Sequence, residues 1–237
     1  MKAVILAGGE GTRLRPLSLG LPKPMTPLFD KPVMEHIISL LRRSGITEIA
    51  VTLHYMPRAV TDHFGDGAAQ GVHLRYFTET EPLGTAGGVK NCMPFLGDED
   101  FLVISGDAVC DLDLKQAMDF HATRRPAATL VLHRHPTPLE YGLVLTDPEG
   151  RVERFVEKPA WGQVVTNQVN TGIYLLTRRA MDLVPEGKPF DFARDLFPAL
   201  MERGEALYGC VSEGYWCDMG DCRAYLDCVA DALSGKV

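Results

Sequence analysis

An excess of positive charge is absent: Lys and Arg number 24 against 31 Asp and Glu, a formal net charge of −7 over 237 residues. A general nucleic-acid binder needs a basic face to meet the phosphate backbone, so that class is set aside. An anionic small substrate is not excluded, but it needs local positive groups to converge on one pocket, together with a metal ion. Long apolar runs are also missing, and no stretch approaches a membrane span. The apolar residues before Gly8 are too few for a secretory leader, so the chain reads as soluble and cytoplasmic. Six cysteines (Cys92, Cys110, Cys210, Cys217, Cys222, Cys228) include no C-x-x-C pair, and they read as reduced, packed thiols of a cytosolic protein. The histidines form no H-x-x-x-H pair, and no repeat, low-complexity tract or long linker interrupts the chain. What is present, 46% hydrophobic and 23% charged residues, suffices for the core of one large domain.

The most informative stretch is Leu6-Ala-Gly-Gly-Glu-Gly-Thr-Arg-Leu-Arg-Pro-Leu17, followed by Pro22-Lys-Pro24. It follows the short apolar run Ala3–Leu6, which reads as a buried strand. Gly8, Gly9 and Gly11 let the backbone turn sharply and approach a ligand with no Cβ in the way. Such a loop can aim several N–H groups at a phosphate, and Thr12, Arg13, Arg15 and Lys23 add polar and positive groups. It is not a P-loop, because Gly11 is followed by Thr12-Arg13 rather than Lys-Ser/Thr. Nor is it a dinucleotide fingerprint, because Leu14 stands where the third glycine belongs.

Apolar spacing at Val33, Ile37, Leu40 and Leu41 predicts a helix that Gly45 terminates, and Ile49–Leu53 predicts a second buried strand. A helix over Pro57–Phe64 and a strand over Val72–Phe77 continue the alternation. The segment Thr80–Val89 opens as a loop and starts a helix with Thr85 as its cap. Strand Phe101–Ile104 ends in Ser105-Gly106-Asp107, a helix runs from Leu114 to Thr123, and strand Ala127–His133 follows. Beyond it, Tyr141–Leu145 and Arg151–Val156 read as a hairpin, and Val169–Leu176 as a further strand. Phe192, Leu196 and Leu200 mark another helical face, and a last helix spans Asp221 to Leu233. The pattern predicts an α/β fold: a doubly wound, mainly parallel, Rossmann-like sheet with an antiparallel substrate-binding addition. In such sheets ligands bind at the C-terminal ends of the strands, where the glycine loop lies.

Asp107 follows a buried strand and Gly106, so its carboxylate emerges at that ligand edge. Trp216-x-Asp218-x-Gly220 supplies a second carboxylate, and two carboxylates plus phosphate oxygens are a usual way to hold Mg²⁺. Asp111-x-Asp113 is a rival metal motif, of the kind nucleotide-sugar glycosyltransferases use; its plainer reading is a polar turn that caps the helix from Leu114. Glu157-Lys158-Pro159 ends a strand with a charged pair suited to a sugar phosphate, and Asn170-Thr171-Gly172 offers an amide and a hydroxyl to a sugar edge.

Together these stretches resemble the sugar-1-phosphate nucleotidylyltransferases, also called nucleotide-sugar pyrophosphorylases. The shared features are the G-x-G-T-R-L-x-P-L…P-K-P loop, Glu81-Pro-Leu-Gly-Thr-Ala-Gly87, Gly106-Asp107, Glu157-Lys158-Pro159, Asn170-Thr-Gly-Ile-Tyr174 and Trp216-x-Asp218-x-Gly220, in the family's order. The sequence is most similar to the mannose-1-phosphate guanylyltransferase branch, in particular the N-terminal catalytic domain of longer chains. It departs from the pattern at Ser105, where Asn is usual, and at Cys110. The resemblance implies one catalytic domain over 1–237, with a nucleotide-binding part to about residue 135 and a sugar-phosphate part from about 136. It implies transfer of a nucleotidyl group from an NTP to a sugar 1-phosphate, releasing pyrophosphate, with GTP and mannose 1-phosphate as the expected pair. UTP- or dTTP-dependent activity on glucose 1-phosphate is the alternative; a glycosyltransferase or a non-catalytic regulatory domain are those of another class. Leu6, Ala7, Gly8, Gly9, Gly11, Thr12, Arg13, Glu81, Gly84 and Thr85 would then bind the nucleotide. Arg13 and Lys23 would hold its phosphates, Asp107 and Asp218 would hold Mg²⁺, and Lys158 would hold the sugar phosphate beside Gly142, Glu157, Asn170 and Thr171. Guanine presents two adjacent donors, which the Glu81 carboxylate could accept together. A homo-oligomer is compatible with this reading.

Overall fold

The computed structural model describes residues 1–156, 160, 162 and 164–236. The chain opens with β1 (Lys2–Leu6), whose loop passes through short 3₁₀ turns at Thr12–Leu14 and Lys23–Met25. A two-residue ribbon, β2 (Pro27–Leu28) and β3 (Lys31–Pro32), leads into α1 (Val33–Arg43). Then come β4 (Glu48–Leu53), α2 (Pro57–Phe64), β5 (His73–Thr78), α3 (Gly84–Asn91) and the short α4 (Met93–Leu96). The middle of the chain forms β6 (Phe101–Ser105), β7 (Ala108–Cys110), α5 (Leu114–Arg124), β8 (Ala128–Arg134), β9 (Leu143–Thr146), β10 (Val152–Val156) and β11 (Gln168–Leu176). A π-helical turn at Phe192–Leu196 runs into α6 (Phe197–Glu202), followed by β12 (Leu207–Val211), β13 (Trp216–Asp218) and α7 (Cys222–Leu233).

Nine strands form one sheet with the path β10-β9-β11-β6-β1-β4-β5, while β8 pairs with β11 and carries β12 on its outer side. β6, β1, β4 and β5 are parallel, and β11 enters antiparallel against β6. The expected antiparallel addition is therefore continuous with the parallel sheet. β11 makes this possible: its last four residues pair with β6, whereas Val169 pairs with Leu143 of β9. The ladder to β8 shifts register between Asn170 and Ile173, where the strand changes partner.

Both faces of the sheet are buried, and alternation along each strand divides the core in two. Ala3, Ile5, Ile49, Val51, Leu102 and Ile104 face α1, α2, α5 and α7. Val4, Ala50, Phe101, Val103 and Leu176 face α3, α4 and α6. Two local expectations change. The helix expected to be capped by Thr85 begins at Gly84, behind an uncapped Leu83, because the Thr85 hydroxyl is drawn to Asp191 instead. The stretch around Trp216, read only as the run-in to the last helix, forms β13 and pairs antiparallel with β7.

On the second face, Phe197 is fully buried, its ring 5.4 Å from Phe155, 5.0 Å from Tyr174 and 5.7 Å from Phe192. This cluster joins α6 to β10 and to β11, the strand on which Asn170 and Thr171 lie. Phe197→Ala should therefore destabilise the fold by about 3–5 kcal/mol. A urea titration should show a lower midpoint with an unchanged slope.

Candidate active site

Parallel strands place their C-terminal ends side by side, and here β1 ends between β4 and β6, with Leu6 opposite both Thr52 and Ser105. The chain leaves this edge through hydrogen bonds from Ala7 N–H to the Thr52 carbonyl (3.1 Å) and from Gly106 N–H to the Leu6 carbonyl (2.9 Å). Gly106 cannot carry a side chain, because a Cβ would lie 2.6 Å from the Leu6 carbonyl oxygen. That close approach sets Asp107 beside the glycine loop. Gly11 has φ +70°, and a Cβ on it would lie 2.9 Å from Cβ of Lys23. The loop thus folds flat against Lys23, whose own N–H donates to the Gly9 carbonyl (3.3 Å).

Pro22 and Pro24 fix the backbone on both sides of Lys23, which begins a 3₁₀ turn. Its side chain is only 9% exposed, and its ammonium pairs with the Asp107 carboxylate and, at 3.5 Å, with Asp218. Asp218 reaches this point through the β13–β7 ladder, which sets it opposite Ala108, while Met219 N–H donates to the Asp107 carbonyl (3.2 Å). Ser105 donates its hydroxyl to the other Asp107 oxygen. Ser105, one of the two departures from the family pattern, is therefore a direct support of the carboxylate.

The charges are unequal in their surroundings. Burial alone would lower the Lys23 pKa, but the two carboxylates outweigh it and hold the ammonium above its ordinary value. Burial pushes Asp107 up, yet the Lys23 charge and the hydrogen bonds from Lys23 and Ser105 prevail and hold it low. For Asp218, burial and the Asp107 charge raise the pKa, and Lys23 and Arg13 offset this only in part. Both carboxylates thus converge on one cation, which is the arrangement a divalent ion bound by two carboxylates and phosphate oxygens needs. The residues fit Mg²⁺.

A cleft of about 260 Å³ opens over this triad, lined by Arg13, Asp107, Glu140, Gly142, Asn170 and Asp218, with Tyr141 and Trp216 as an aromatic wall. The guanidinium of Arg13 lies beside Gly220, 3.7 Å from where a Cβ would stand, which is an ordinary contact. Asn170 is fixed from both ends: its amide donates to the Tyr174 hydroxyl (2.9 Å), and its oxygen accepts from Gly172 N–H (3.1 Å). Thr171 lines the cleft, but its hydroxyl donates to the Val131 carbonyl (2.7 Å), and its own carbonyl accepts from Trp216 Nε1–H (3.2 Å). Thr85 is likewise committed: its hydroxyl donates to Asp191 (2.8 Å) and accepts from Phe192 N–H (3.0 Å). Glu157 and Lys158 lie outside the described residues.

Of the remaining expectations, Gly84 starts α3 and Glu81 stands exposed on the loop before it, with no hydrogen bond among the described residues. The carboxylate turned inward is Glu79, which the sequence reading passed over. It is half-buried, accepts from Leu83 N–H (3.0 Å), and fills the space over Gly88, where a Cβ would lie 2.4 Å from its oxygen. Burial raises its pKa, partly countered by the Leu83 hydrogen bond. The signal available for it was its place at the end of β5, on the ligand edge of the sheet. Glu140 was also missed; its position before Tyr141-Gly142, at the mouth of the hairpin, was the available sign. Asp111 and Asp113 serve the backbone: Asp111 accepts from Tyr215 N–H (2.5 Å), and Asp113 caps α5 through Lys115 and Gln116 N–H (both 3.0 Å). The rival metal motif is therefore structural.

Known proteins resemble this chain in sequence and in fold. A family model described as nucleotidyl transferase matches residues 2–235. A mannose-1-phosphate guanylyltransferase of Mycobacterium tuberculosis is 40% identical over 98% of this chain and 65% of its own length. A UTP–glucose-1-phosphate uridylyltransferase of Synechocystis is 36% identical over 100% of this chain and 64% of its own. The chain thus spans about two thirds, slightly less, of the length of these relatives. The crystal structure of HddC from Yersinia pseudotuberculosis complexed with GMP-PN superposes with a TM-score of 0.84, at 28% identity, covering 98% of this chain and 99% of that one.

Removing the ammonium while keeping its bulk tests the triad. Lys23→Met should leave two neighbouring carboxylates unpaired and cost about 3 kcal/mol at neutral pH, the low end expected when a buried pair is broken. Asp107 has a depressed pKa in the folded state, so its contribution is present above the ordinary carboxylate pKa and is lost as pH falls through the depressed value. The gap between wild type and Lys23→Met in denaturant midpoint should accordingly narrow on acidification. A gap that stays constant from pH 7 to the acid limit of the fold would show that the pairing is not its source.

Proposed function

The chain belongs to the nucleotidyl transferase family, and on that premise we propose that it is a sugar-1-phosphate nucleotidylyltransferase, with GTP and mannose 1-phosphate as its substrates. The observation that carries this reading is the convergence of Lys23, Asp107 and Asp218 beside the glycine loop, at the floor of a cleft whose far wall is polar and aromatic. The loop N–H groups and Arg13 suit the phosphates of an NTP. Glu140, the Gly142 backbone and the fixed amide of Asn170 suit the hydroxyl groups of a sugar. Lys158 is assigned to the phosphate of that sugar.

In this reaction an oxygen of the sugar phosphate attacks the α-phosphorus as the bond to the β-phosphate breaks and pyrophosphate leaves. The protein has little covalent chemistry to perform, so holding the two phosphates in line and stabilising charge supply most of the acceleration. Asp107 and Asp218 would hold Mg²⁺, which supplies charge neutralisation to the reacting phosphates when bound. Lys23 keeps the two carboxylates together, and Arg13 receives charge on the departing pyrophosphate. The 40% identical guanylyltransferase and the GMP-PN complex support guanine; the 36% identical uridylyltransferase is why the base needs a direct test.

We assign base recognition to Glu79 rather than to Glu81. Glu79 faces inward at the end of β5 with one oxygen held by Leu83 N–H, whereas the exposed Glu81 would have to leave solvent to reach a base. A carboxylate suits the paired donors of guanine and mismatches uracil or thymine, which present carbonyls on both sides of their one ring N–H.

Pyrophosphate release measured over four NTPs and several sugar 1-phosphates should be fastest with GTP and mannose 1-phosphate. Asp218→Asn should lower kcat by about 100-fold or more, as loss of a charge-stabilising group in a preorganised site does, with little change in denaturant midpoint. Absence of pyrophosphate release with every pair would reject the reaction. Glu79→Gln should reduce the preference for GTP over UTP, while Glu81→Gln should leave it intact. The reverse pattern would return the base contact to Glu81.

A further inference from the structure

The segment before the π-helical turn lies against the start of α3, and backbone joins the two. Phe190 N–H donates to the Leu83 carbonyl (2.8 Å), and the Phe190 carbonyl accepts from Ala86 and Gly87 N–H (both 3.0 Å). Those two N–H groups belong to the first turn of α3, which has no side-chain cap, so the Phe190 carbonyl stands in for one. The approach is close: a Cβ on Gly84 would lie 2.7 Å from that carbonyl oxygen.

One side-chain contact is added to this backbone seam. The Thr85 hydroxyl donates to one Asp191 oxygen (2.8 Å) and accepts from Phe192 N–H (3.0 Å). The other Asp191 oxygen accepts from Ala193 N–H (3.1 Å) and Arg194 N–H (3.4 Å), which begin the π-helical turn. Asp191 N–H in turn donates to Asp195 (2.7 Å). Phe192 is fully buried, so water cannot replace Thr85 as the partner of its N–H.

The turn that Asp191 sets borders the cleft. Ala193 lines it together with Gly142, Asn170 and Thr171, whereas Thr85 and Asp191 themselves are not lining residues. The Phe192 ring lies 5.1 Å from that of Tyr174, whose hydroxyl accepts from the Asn170 amide (2.9 Å). Thr85 therefore belongs to the stretch expected at the nucleotide, yet its hydroxyl acts across the seam, on the residues around Asn170. Loss of that hydroxyl would affect the two sides unequally. The first turn of α3 keeps its three backbone bonds with Phe190 and Leu83. The π-helical turn loses both the acceptor of Phe192 N–H and the donor that orients Asp191, next to Ala193.

We propose that Thr85 and Asp191 are positioning residues for the sugar 1-phosphate. Through their hydrogen bond the start of α3 fixes the turn that carries Ala193 and, by way of Phe192 and Tyr174, the Asn170 amide. The substrate named here rests on the transferase reading above; the contact itself rests on the geometry. Neither side chain touches a reacting atom. The pair holds the Ala193–Asn170 wall at a set place relative to the phosphate end of the cleft. Displacing that wall loosens the bound sugar phosphate and misplaces its attacking oxygen, and in-line transfer is sensitive to such misplacement.

Initial rates of pyrophosphate release, with each substrate varied in turn, test the assignment. Thr85→Val keeps the branched shape and removes the hydroxyl. It should lower kcat/KM for mannose 1-phosphate by about ten-fold or more, chiefly through KM, and leave the KM for GTP nearly unchanged. Thr85→Ser loses the methyl group but keeps the hydroxyl, and it should return the sugar-phosphate KM toward the wild-type value. A role in packing alone would give the opposite order of the two variants. Asp191→Asn keeps an oxygen for the Ala193 and Arg194 N–H groups and sets a donor opposite Thr85. It should shift the same KM, and it serves if Thr85→Val does not fold. A rise confined to the KM for GTP, an equal rise for both substrates, or no change in either would overturn the proposal.

Amide hydrogen exchange followed by NMR in the folded, ligand-free chain reads the contact without any substrate. In Thr85→Val the Phe192, Ala193 and Arg194 amides should exchange faster, while the Ala86 and Gly87 amides keep their protection. Unchanged protection at Phe192 would overturn the pairing. A wild-type chain that releases no pyrophosphate with any substrate pair would count against the transferase reading, and the exchange measurement would then decide the Thr85–Asp191 contact by itself.

Discussion

The Lys23 ammonium between Asp107 and Asp218 is the contact on which the arrangement of the cleft depends. Lys23 and its two partners come from the loop after β1, the end of β6 and β13, segments far apart in the chain. Two like charges held this close in a protein interior repel each other, and the repulsion grows as water is excluded. A cation between them is the physical condition for both to sit at one sheet edge. The backbone enforces the meeting: Gly106 lets β6 turn against the Leu6 carbonyl, the prolines around Lys23 fix its turn, and the β13–β7 ladder carries Asp218 into place.

The same contact gathers positive charge at one cleft of a chain whose net charge is −7. Positive charge is concentrated at Lys23 and Arg13, and the loop N–H groups add partial charge without side chains. Of the acidic groups nearest the site, Asp107 and Asp218 are paired with Lys23 and Asp111 and Asp113 are occupied with backbone N–H groups, while Glu140 lines the cleft. The two carboxylates that hold the ammonium are also suited to a divalent ion, so the site does not need a second acidic cluster to serve both purposes.

Support for the cleft comes from the sheet behind it. β11 pairs with β6 over one half and meets β9 at the other, which brings Asn170 and Gly142 to the same rim as Asp107. Because β11 belongs to the central sheet, the Asn170–Gly142 side and the Asp107 side of the cleft share a single hydrogen-bonded framework. The aromatic wall of Tyr141 and Trp216, with rings 5.2 Å apart, then separates the cleft from a second cavity that Cys217 lines.

Local chemistry made much of this legible from the residues alone. Apolar alternation and helical spacing gave β1, α1, β4 and α2 nearly to the residue, since both faces of a parallel sheet must be apolar and Gly45 can end a helix at positive φ. The glycine loop, Asp107 after its strand, and Asp113 as a helix cap were readable for the same reason: each is a matter of a few adjacent residues. What the sequence could not disclose depends on contacts between distant segments. The pairing of β13 with β7, the capture of Thr85 by Asp191 and the inward turn of Glu79 over Gly88 all involve partners that no local pattern names. By itself, then, the sequence determined the family and most of the element order, though not β12 or β13, because these follow from periodicity and short motifs. Only the tertiary structure decided which carboxylates share a cation and which polar groups remain free for a ligand, because a hydrogen bond or ion pair is settled by whichever partner the folded chain brings within reach.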